Sequence, residues 1–230
     1  MTVDPNNLRQ SRTGIDIAPD YFRQIGHQLV DQIADLLTSL PGRPVTRGLT
    51  PPDMAAKVRS HDPLPNHGSD PGPIVADTAN LLIENSLYNS HPRFWGYITA
   101  PAAPIGILGD MLAAAVNPNL GSWTLSPVGT EIESQAVRWI AELLGYPADC
   151  GGLMVSGGNM ANFVGFLAAR AHMAKTDVNY DLRKHGLKHR EAPRFTVYVS
   201  TETHTWIQKA ADMYGLGTDA IRWIDVDSQR

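Results

Sequence analysis

The strongest constraint on the fold is a pair of adjacent glycines, Gly157 and Gly158, between two segments of different periodicity. Residues 153–155 form a short apolar run that is typical of a buried strand, and residues 160–175 have the pattern of a helix. One glycine is enough for a tight turn. A pair followed at once by a helix indicates that a ligand or another backbone comes close to the chain here.

Three strand-like segments alternate with helical patterns in the second half of the chain. The strands are predicted at residues 153–155, 195–200 and 220–226, and the intervening helices at 160–175 and 204–214. Nearly continuous apolar strands that alternate with helices are typical of an α/β fold, in which helices cover both faces of a parallel sheet. Two earlier helices are predicted at residues 104–116 and 126–145, the second beginning at a serine followed by a proline.

The first part of the chain has helical patterns but no strand pattern. Apolar residues recur at helical spacing from Phe22 to Leu40, and the pattern stops at a Pro-Gly pair. Proline and glycine are frequent in residues 41–73, and helices are predicted at residues 52–59 and 74–88. We therefore expect a helical arm and linker over residues 1–98, followed by a larger domain over residues 99–230.

Composition excludes several classes of protein. The 230 residues carry a formal net charge of -4, without the basic excess that is typical of a nucleic-acid-binding protein. The single cysteine, Cys150, cannot form an intrachain disulfide, and the polar N-terminus does not resemble a signal peptide. No apolar stretch is long enough to span a membrane. These features predict a cytoplasmic protein that binds neither nucleic acid nor membrane.

The glycine pair is the first candidate binding site. The N–H groups in the first turn of a helix lack intrahelical partners and favour phosphate, and glycines just before that turn let the phosphate reach the backbone. Gly157, Gly158 and Asn159 fit this role, although the glycines could also serve only as a tight strand-to-helix turn. The sequence matches neither of the common glycine-rich phosphate motifs.

Two further segments are candidates for ligand contact. His204 follows a predicted strand and begins a predicted helix, so it could contact a ligand at the carboxyl edge of the sheet or simply cap the helix. Phe94, Trp95 and Tyr97 cluster in a loop that could line a pocket or anchor the arm. A metal site is not expected: the histidines of RKHGLKHR (183–190) lie among basic residues in a solvated loop.

Four motifs, in order along the chain, resemble the pyridoxal-phosphate-dependent group II amino-acid decarboxylases, which include aromatic-amino-acid and glutamate decarboxylases. The motifs are HPRFWGY (91–97), GSWTLSPVGTEIESQAVRWIAELLGYP (121–147), SGGNMANFVGFLAAR (156–170) and YVSTETHTWIQKAADMYGLG (198–217). The resemblance covers most of the chain from about residue 16. It implies PLP-dependent transferase fold type I, here with an incomplete large domain, and pyridoxal 5'-phosphate as cofactor.

The resemblance also implies roles for individual residues. Gly157, Gly158 and Asn159 would hold the cofactor phosphate, and His204, the one catalytic candidate, would stack on the pyridine ring. A second group, in the aromatic loop and the Trp-x-x-Ser-Pro motif, would line the substrate pocket: Phe94, Trp95, Tyr97 and Trp123. The family forms dimers, so the apolar stripe of the arm would pack across a homodimer. Asn159-Met160 replaces the usual Ser-Glu, which removes a hydroxyl contact to the phosphate.

The sequence does not contain a lysine where the family forms its Schiff base with the cofactor. The five lysines lie in other segments: Lys57, Lys175, Lys184, Lys188 and Lys209. The resemblance therefore implies the N-terminal portion of an amino-acid decarboxylase whose lysine comes from a complementary C-terminal part. Alternatives are a non-catalytic fragment or association module, a related enzyme such as an aminotransferase, and a different phosphate-ligand binder on the same fold.

Overall fold

The computed structural model describes residues 16–147 and 149–228. The chain divides into two compact units between Val116 and Asn117. In the first unit the described residues, 16–116, form helices joined by irregular segments, without a strand. In the second unit, helices accompany a parallel pair of strands. The predicted role of residues 1–98 as a dimer-packing arm stays a prediction.

The first unit contains four α-helices and one short 3-10 helix in its described residues. They are α1 (Pro19–Ser39), a 3-10 turn (Leu40–Gly42), α2 (Pro51–Val58), α3 (Pro71–Asn85) and α4 (Pro104–Val116). The α-helices all begin at a proline, which is tolerated there because the first N–H groups of a helix have no intrahelical acceptor. These bounds confirm the predicted helices to within a few residues at their ends.

Helices α1 and α3 pack on each other in the first unit. Ile25 on α1 and Ala79 on α3 are buried, and the Tyr21 hydroxyl donates a hydrogen bond to the Asp70 carboxylate at the start of α3. This bond raises the pKa of Tyr21 and lowers the pKa of Asp70. The apolar stripe predicted on α1 is therefore covered in part by α3 of the same chain.

The second unit contains four α-helices and two strands in its described residues. They are α5 (Pro127–Leu143), α6 (Gly158–Val178), α7 (Leu182–His185), β1 (Val197–Ser200), α8 (Trp206–Met213), a 3-10 turn (Thr218–Ala220) and β2 (Ile221–Ile224). The sequence pattern predicted these elements except the 3-10 turn and α7, which at four residues is too short to show helical periodicity.

Strands β1 and β2 are parallel, with Val197 opposite Ile221 and Ser200 opposite Ile224. The predicted parallel sheet is confirmed. Its core is formed by Ile207 and Ala211 of α8 together with Ile221 of β2, and Phe166, Val197, Val199, Trp206 and Leu216 pack around them. Helix α8, which connects the two strands, thus covers one part of the sheet with its apolar face.

The strand predicted at residues 153–155 is wrong. In the described chain this segment pairs with neither β1 nor β2. The Met154 N–H instead donates to the Glu133 carboxylate of α5, with 2.7 Å between nitrogen and oxygen. A parallel strand needs a neighbouring backbone for its N–H and C=O groups, and here a side chain supplies the acceptor.

Candidate functional site

The glycine pair lies at the start of α6. Gly157 is the N-cap of this helix and has φ 151° and ψ 171°, a conformation that is almost confined to glycine. Gly158 is the first helical residue. A Cβ atom added to either glycine would meet no heavy atom within 4 Å. The space above this turn is therefore open, as the approach of a ligand requires.

The first turn of α6 has no side-chain cap. The Ala161 N–H donates to the Gly157 carbonyl at 3.0 Å, so the N–H groups of Gly158, Asn159 and Met160 precede the first intrahelical bond. Helices α2 and α3 are capped by Thr50 and Asp70, whereas α1 and α5, like α6, have no side-chain cap. Uncapped N–H groups at the positive end of a helix dipole favour a bound anion.

His204 follows β1 and precedes α8, as expected, and its side chain is exposed. The Trp206 N–H donates to His204 Nδ1 at 3.2 Å. The imidazole therefore caps the first turn of α8, which is one of the two roles that the sequence left open. Because Nδ1 accepts this bond, the neutral ring carries its proton on Nε2.

Aromatic packing between α6 and the end of α8 orients the two helices. The rings of Phe163 and Phe166 contact Tyr214, with centroids 5.9 Å and 6.0 Å from it, and Phe166 also contacts Trp206 at 6.2 Å. Arg170 lies over the Tyr214 ring, and its Nη1 donates to the Tyr214 carbonyl at 2.8 Å. Burial lowers the pKa of Arg170. This packing holds the segment before α8 beside the start of α6.

The glycine-loop cleft results from this packing. It has a volume of about 660 Å³ and is lined by Ser156, Gly157, Gly158, Asn159, Met160, Asn162, Phe163 and His204. The structure thus brings together the predicted phosphate residues and the predicted stacking histidine. Sequence reasoning missed Asn162 and Phe163, although their spacing of three and four residues from Asn159 predicts that they share its helix face.

The residues predicted for a substrate pocket lie elsewhere along the chain. Phe94, Trp95 and Tyr97 belong to the first unit, where Trp95 and Tyr97 are exposed and the rings of Phe94 and Tyr97 are 6.4 Å apart. Trp123 belongs to the second unit but does not line the glycine-loop cleft, and its indole N–H donates to Glu131 at 2.9 Å. Their substrate-binding role stays a prediction.

The lysines and histidines of the chain add no further ligand to this cleft. None of the five lysines, all within the described residues, lines it. In residues 16–147 and 149–228, no group of three or more His, Cys, Asp or Glu side chains could hold a metal ion. No helix in that part of the chain is both long and apolar enough to cross a membrane.

Residues 53–230 match the family model of the pyridoxal-dependent decarboxylase conserved domain. Curated relatives include an aromatic-L-amino-acid decarboxylase of Bacillus atrophaeus, 26% identical over 93% of this chain. Tryptophan decarboxylase 2 of Oryza sativa subsp. japonica is 29% identical over 92% of this chain. The chain spans 41% of the length of each of these two relatives.

Solved structures show the same fold. The glutamate decarboxylase domain of diaminobutyrate-pyruvate transaminase and L-2,4-diaminobutyrate decarboxylase from Vibrio parahaemolyticus aligns over 98% of this chain and 49% of its own, with TM-score 0.79 and 20% identity. Oryza sativa TDC, solved with PLP and tryptamine, aligns over 95% of this chain and 44% of its own, with TM-score 0.77 and 23% identity. The fold is that of part of a fold type I domain.

Proposed function

The chain belongs to the pyridoxal-dependent decarboxylase family, and on that basis we propose that it is the cofactor-binding N-terminal portion of an amino-acid decarboxylase. One observation carries the proposal. The uncapped start of α6 and His204 line the same cleft, although about 45 residues of chain, which include α7 and β1, separate them. The cofactor would be pyridoxal 5'-phosphate, which the Oryza sativa structure contains.

The residues of the cleft fit the phosphate of this cofactor. The N–H groups of Gly158 and Asn159 would donate to phosphate oxygens, and the helix dipole would favour their negative charge. Gly157 has no side chain to obstruct the phosphate. The Asn159 amide is a second donor that could replace the hydroxyl usual in this family.

His204 would hold the pyridine ring by stacking. Its Nδ1 is fixed by the Trp206 N–H, so the imidazole has a defined orientation before any ligand binds. When bound, the cofactor supplies an electron sink that stabilises the carbanion left by loss of CO₂. The ring of His204 and the first turn of α6 would together orient the cofactor for that chemistry.

A lysine that forms the Schiff base would come from a complementary segment outside this chain. All five lysines lie outside the lining of the glycine-loop cleft. The chain alone is therefore expected to bind the cofactor and not to release CO₂ from amino acids. The absence of a lysine from the lining of this cleft also favours the second candidate function, a non-catalytic association module of the same fold.

The substrate and the assembly are proposed by analogy with the family. We expect an amino acid as substrate, with Phe94, Trp95, Tyr97 and Trp123 walling its pocket in the assembled enzyme. We expect a homodimer, by analogy with the family. We expect it to be cytoplasmic, because a free cysteine such as Cys150 stays reduced in that compartment. The exposed apolar side chains of α4, such as Leu112, provide surface for such a dimer.

The experiment that tests cofactor binding uses pyridoxine 5'-phosphate, which lacks the aldehyde and so cannot react with surface lysines. The ¹⁵N-labelled chain is titrated with this compound and, separately, with pyridoxine. We expect amide shift changes at Gly158, Asn159 and Met160 with the phosphate ester, and an affinity at least about tenfold weaker for pyridoxine, equivalent to about 1.4 kcal/mol. Equal affinities, or shifts only elsewhere, would refute the proposal.

Two variants separate stacking from helix capping at His204. His204→Ala removes both the ring and the acceptor for the Trp206 N–H, whereas His204→Asn keeps an acceptor side chain and removes the ring. If the ring stacks on the cofactor, both variants weaken binding of pyridoxine 5'-phosphate by a similar factor. If His204 serves only as a cap, His204→Asn binds as the unmodified chain does.

A further inference from the structure

A second cleft lies at the opposite edge of the sheet. Residues 194–196 lead into β1, and residues 219–220 lead into β2. Because the two strands are parallel, these segments meet at the amino edge, whereas His204 follows the carboxyl end of β1. The arginine cleft between them has a volume of about 650 Å³ and is lined by Leu187, His189, Arg190, Ala192, Pro193, Arg194, Phe195, Thr196, Gly215, Leu216, Asp219, Ala220 and Arg222.

The arginine cleft carries an excess of positive charge. Arg190, Arg194 and Arg222 line it, and Asp219 is the one carboxylate among its lining residues. Ion pairs in the described part of the chain involve other arginines: Arg23 with Asp20, Arg43 and Arg47 with Glu84, and Arg59 with Asp62. The guanidinium charges of this cleft are thus not neutralised by ion pairing with a described carboxylate.

Backbone carbonyls hold one of these guanidinium groups in place. Arg222 Nη1 donates to the Asp219 carbonyl at 2.6 Å and to the Ile221 carbonyl at 3.3 Å. Carbonyl oxygens orient the group but carry no net charge, so its positive charge is available to a ligand. His189 is also oriented, since its Nδ1 accepts the Glu191 N–H at 3.3 Å and Nε2 is left for another contact.

Apart from Thr196, the remaining side chains of the lining are apolar. Leu187, Phe195 and Leu216 are partly buried and face the same cleft as the arginines. A volume of about 650 Å³ lies within the range of small-molecule sites, which combine an apolar lining with a few polar anchors. The cleft therefore combines guanidinium groups with apolar side chains.

We propose that the arginine cleft binds a phosphate-bearing small molecule with an apolar or planar ring portion, such as a mononucleotide. Arg190, Arg194 and Arg222 hold the phosphate, because a guanidinium presents paired N–H donors that match phosphate oxygens. The ring portion lies against Phe195 and its apolar neighbours. This site is separate from the glycine-loop cleft and does not depend on the cofactor proposed there.

The test is a titration of the full ¹⁵N-labelled chain with AMP and with inorganic phosphate at constant ionic strength. We expect amide shift changes with AMP in residues 189–196 and 219–222, and a tighter affinity for AMP than for phosphate. Arg194→Gln and Arg190→Gln should each weaken AMP binding at least fivefold. Arg222 is left unchanged because its side chain also bonds the backbone.

The matched control is Lys188→Gln, which removes the same charge from the same loop at a residue that does not line the cleft. We expect this variant to bind AMP within twofold of the unmodified chain. Equal weakening by all three variants would show diffuse charge attraction and overturn the proposal. Shift changes confined to residues 158–160 would place AMP in the glycine-loop cleft and also overturn it. An affinity for inorganic phosphate equal to that for AMP would also overturn the proposal.

Discussion

At the scale of single residues, Gly157 is the position whose backbone most restricts substitution. Its φ of 151° lies where side chains are rarely tolerated, and an added Cβ would meet no neighbouring atom. We expect Gly157→Ala to lower the free energy of unfolding by about 1–3 kcal/mol through backbone strain alone. Chemical denaturation followed by circular dichroism measures this change.

Gly165 provides the matched control for that substitution. It lies inside α6 on an exposed position, and a Cβ there also meets nothing within 4 Å. Because glycine is a poor helix former, Gly165→Ala should raise the free energy of unfolding by about 0.5–1 kcal/mol. If both substitutions changed stability in the same direction, conformation at Gly157 would not be the cause.

Among secondary-structure elements, α8 connects the sheet to His204 and so to the glycine-loop cleft. Ile207 on α8 is fully buried in the core of the second unit. Ile207→Ala should reduce the free energy of unfolding by about 2–5 kcal/mol, since it leaves a cavity. The exposed Leu143 on α5 is the control, and Leu143→Ala should change stability by less than about 0.5 kcal/mol.

If Ile207→Ala prevents folding, Ile207→Val keeps the prediction testable. This substitution should lower the free energy of unfolding by about 0.5–1.5 kcal/mol. The same denaturation experiment measures it. If Ile207→Val lowered the free energy of unfolding by no more than Leu143→Ala does, the assignment of Ile207 to the core would be contradicted. Because α8 begins two residues after His204, a loosened α8 should also weaken binding of pyridoxine 5'-phosphate.

Helix α3 is tied to the segment before α2 by Glu84. Its carboxylate accepts from Arg43 at 3.1 Å and pairs with Arg47, while Arg47 Nε donates to the Glu84 carbonyl at 2.6 Å. The hydrogen bond from Arg43 and the charge of Arg47 lower the pKa of Glu84. His91, which is buried, contacts the Arg43 carbonyl through Nε2 at 2.9 Å and extends the same cluster.

The lowered pKa of Glu84 predicts the pH dependence of this cluster. A depressed pKa in the folded state means that the contribution to stability is complete above the unfolded carboxyl pKa, about 4.3 for glutamate, and is lost as pH falls through the folded value. Thermal melts of the unmodified chain and Glu84→Gln should therefore differ at pH 7 and converge toward pH 3. A constant difference across that range would contradict the ion-pair cluster.

At the scale of the whole molecule, α4 exposes more apolar surface than a helix of a monomeric protein normally does. Five bulky side chains of this helix are at least half exposed: Ile105, Leu108, Met111, Leu112 and Val116. A helix that is apolar on most of its surface is usually covered. We expect the chain to self-associate, and sedimentation velocity at several concentrations should show an increasing sedimentation coefficient.

Leu112→Glu tests whether α4 takes part in this association. A charge in the middle of the exposed apolar surface should shift the chain toward monomer, whereas Lys57→Glu, on the exposed helix α2, should not. A sedimentation coefficient that is independent of concentration in the unmodified chain would contradict the prediction.

Much of the fold could be predicted from the sequence because it depends on neighbours along the chain. The helices follow from apolar spacing with proline at their starts, and β1 and β2 from short apolar runs. The open turn at Gly157 and Gly158 follows from the absence of side chains. The four-residue α7 is too short to give a detectable periodicity. Residues 153–155 have the composition of a strand but do not pair with β1 or β2.

The sequence by itself determined the local elements, the glycine turn and the resemblance that pointed to a decarboxylase. Only the tertiary structure decided which distant residues meet: His204 with Asn162 and Phe163 in one cleft, and Arg194 with Arg222 in the other. It also directed the Met154 N–H to Glu133 and so left a predicted strand unpaired. The reason is physical, since periodicity reports the face on which a residue lies, whereas packing between elements decides what that face contacts.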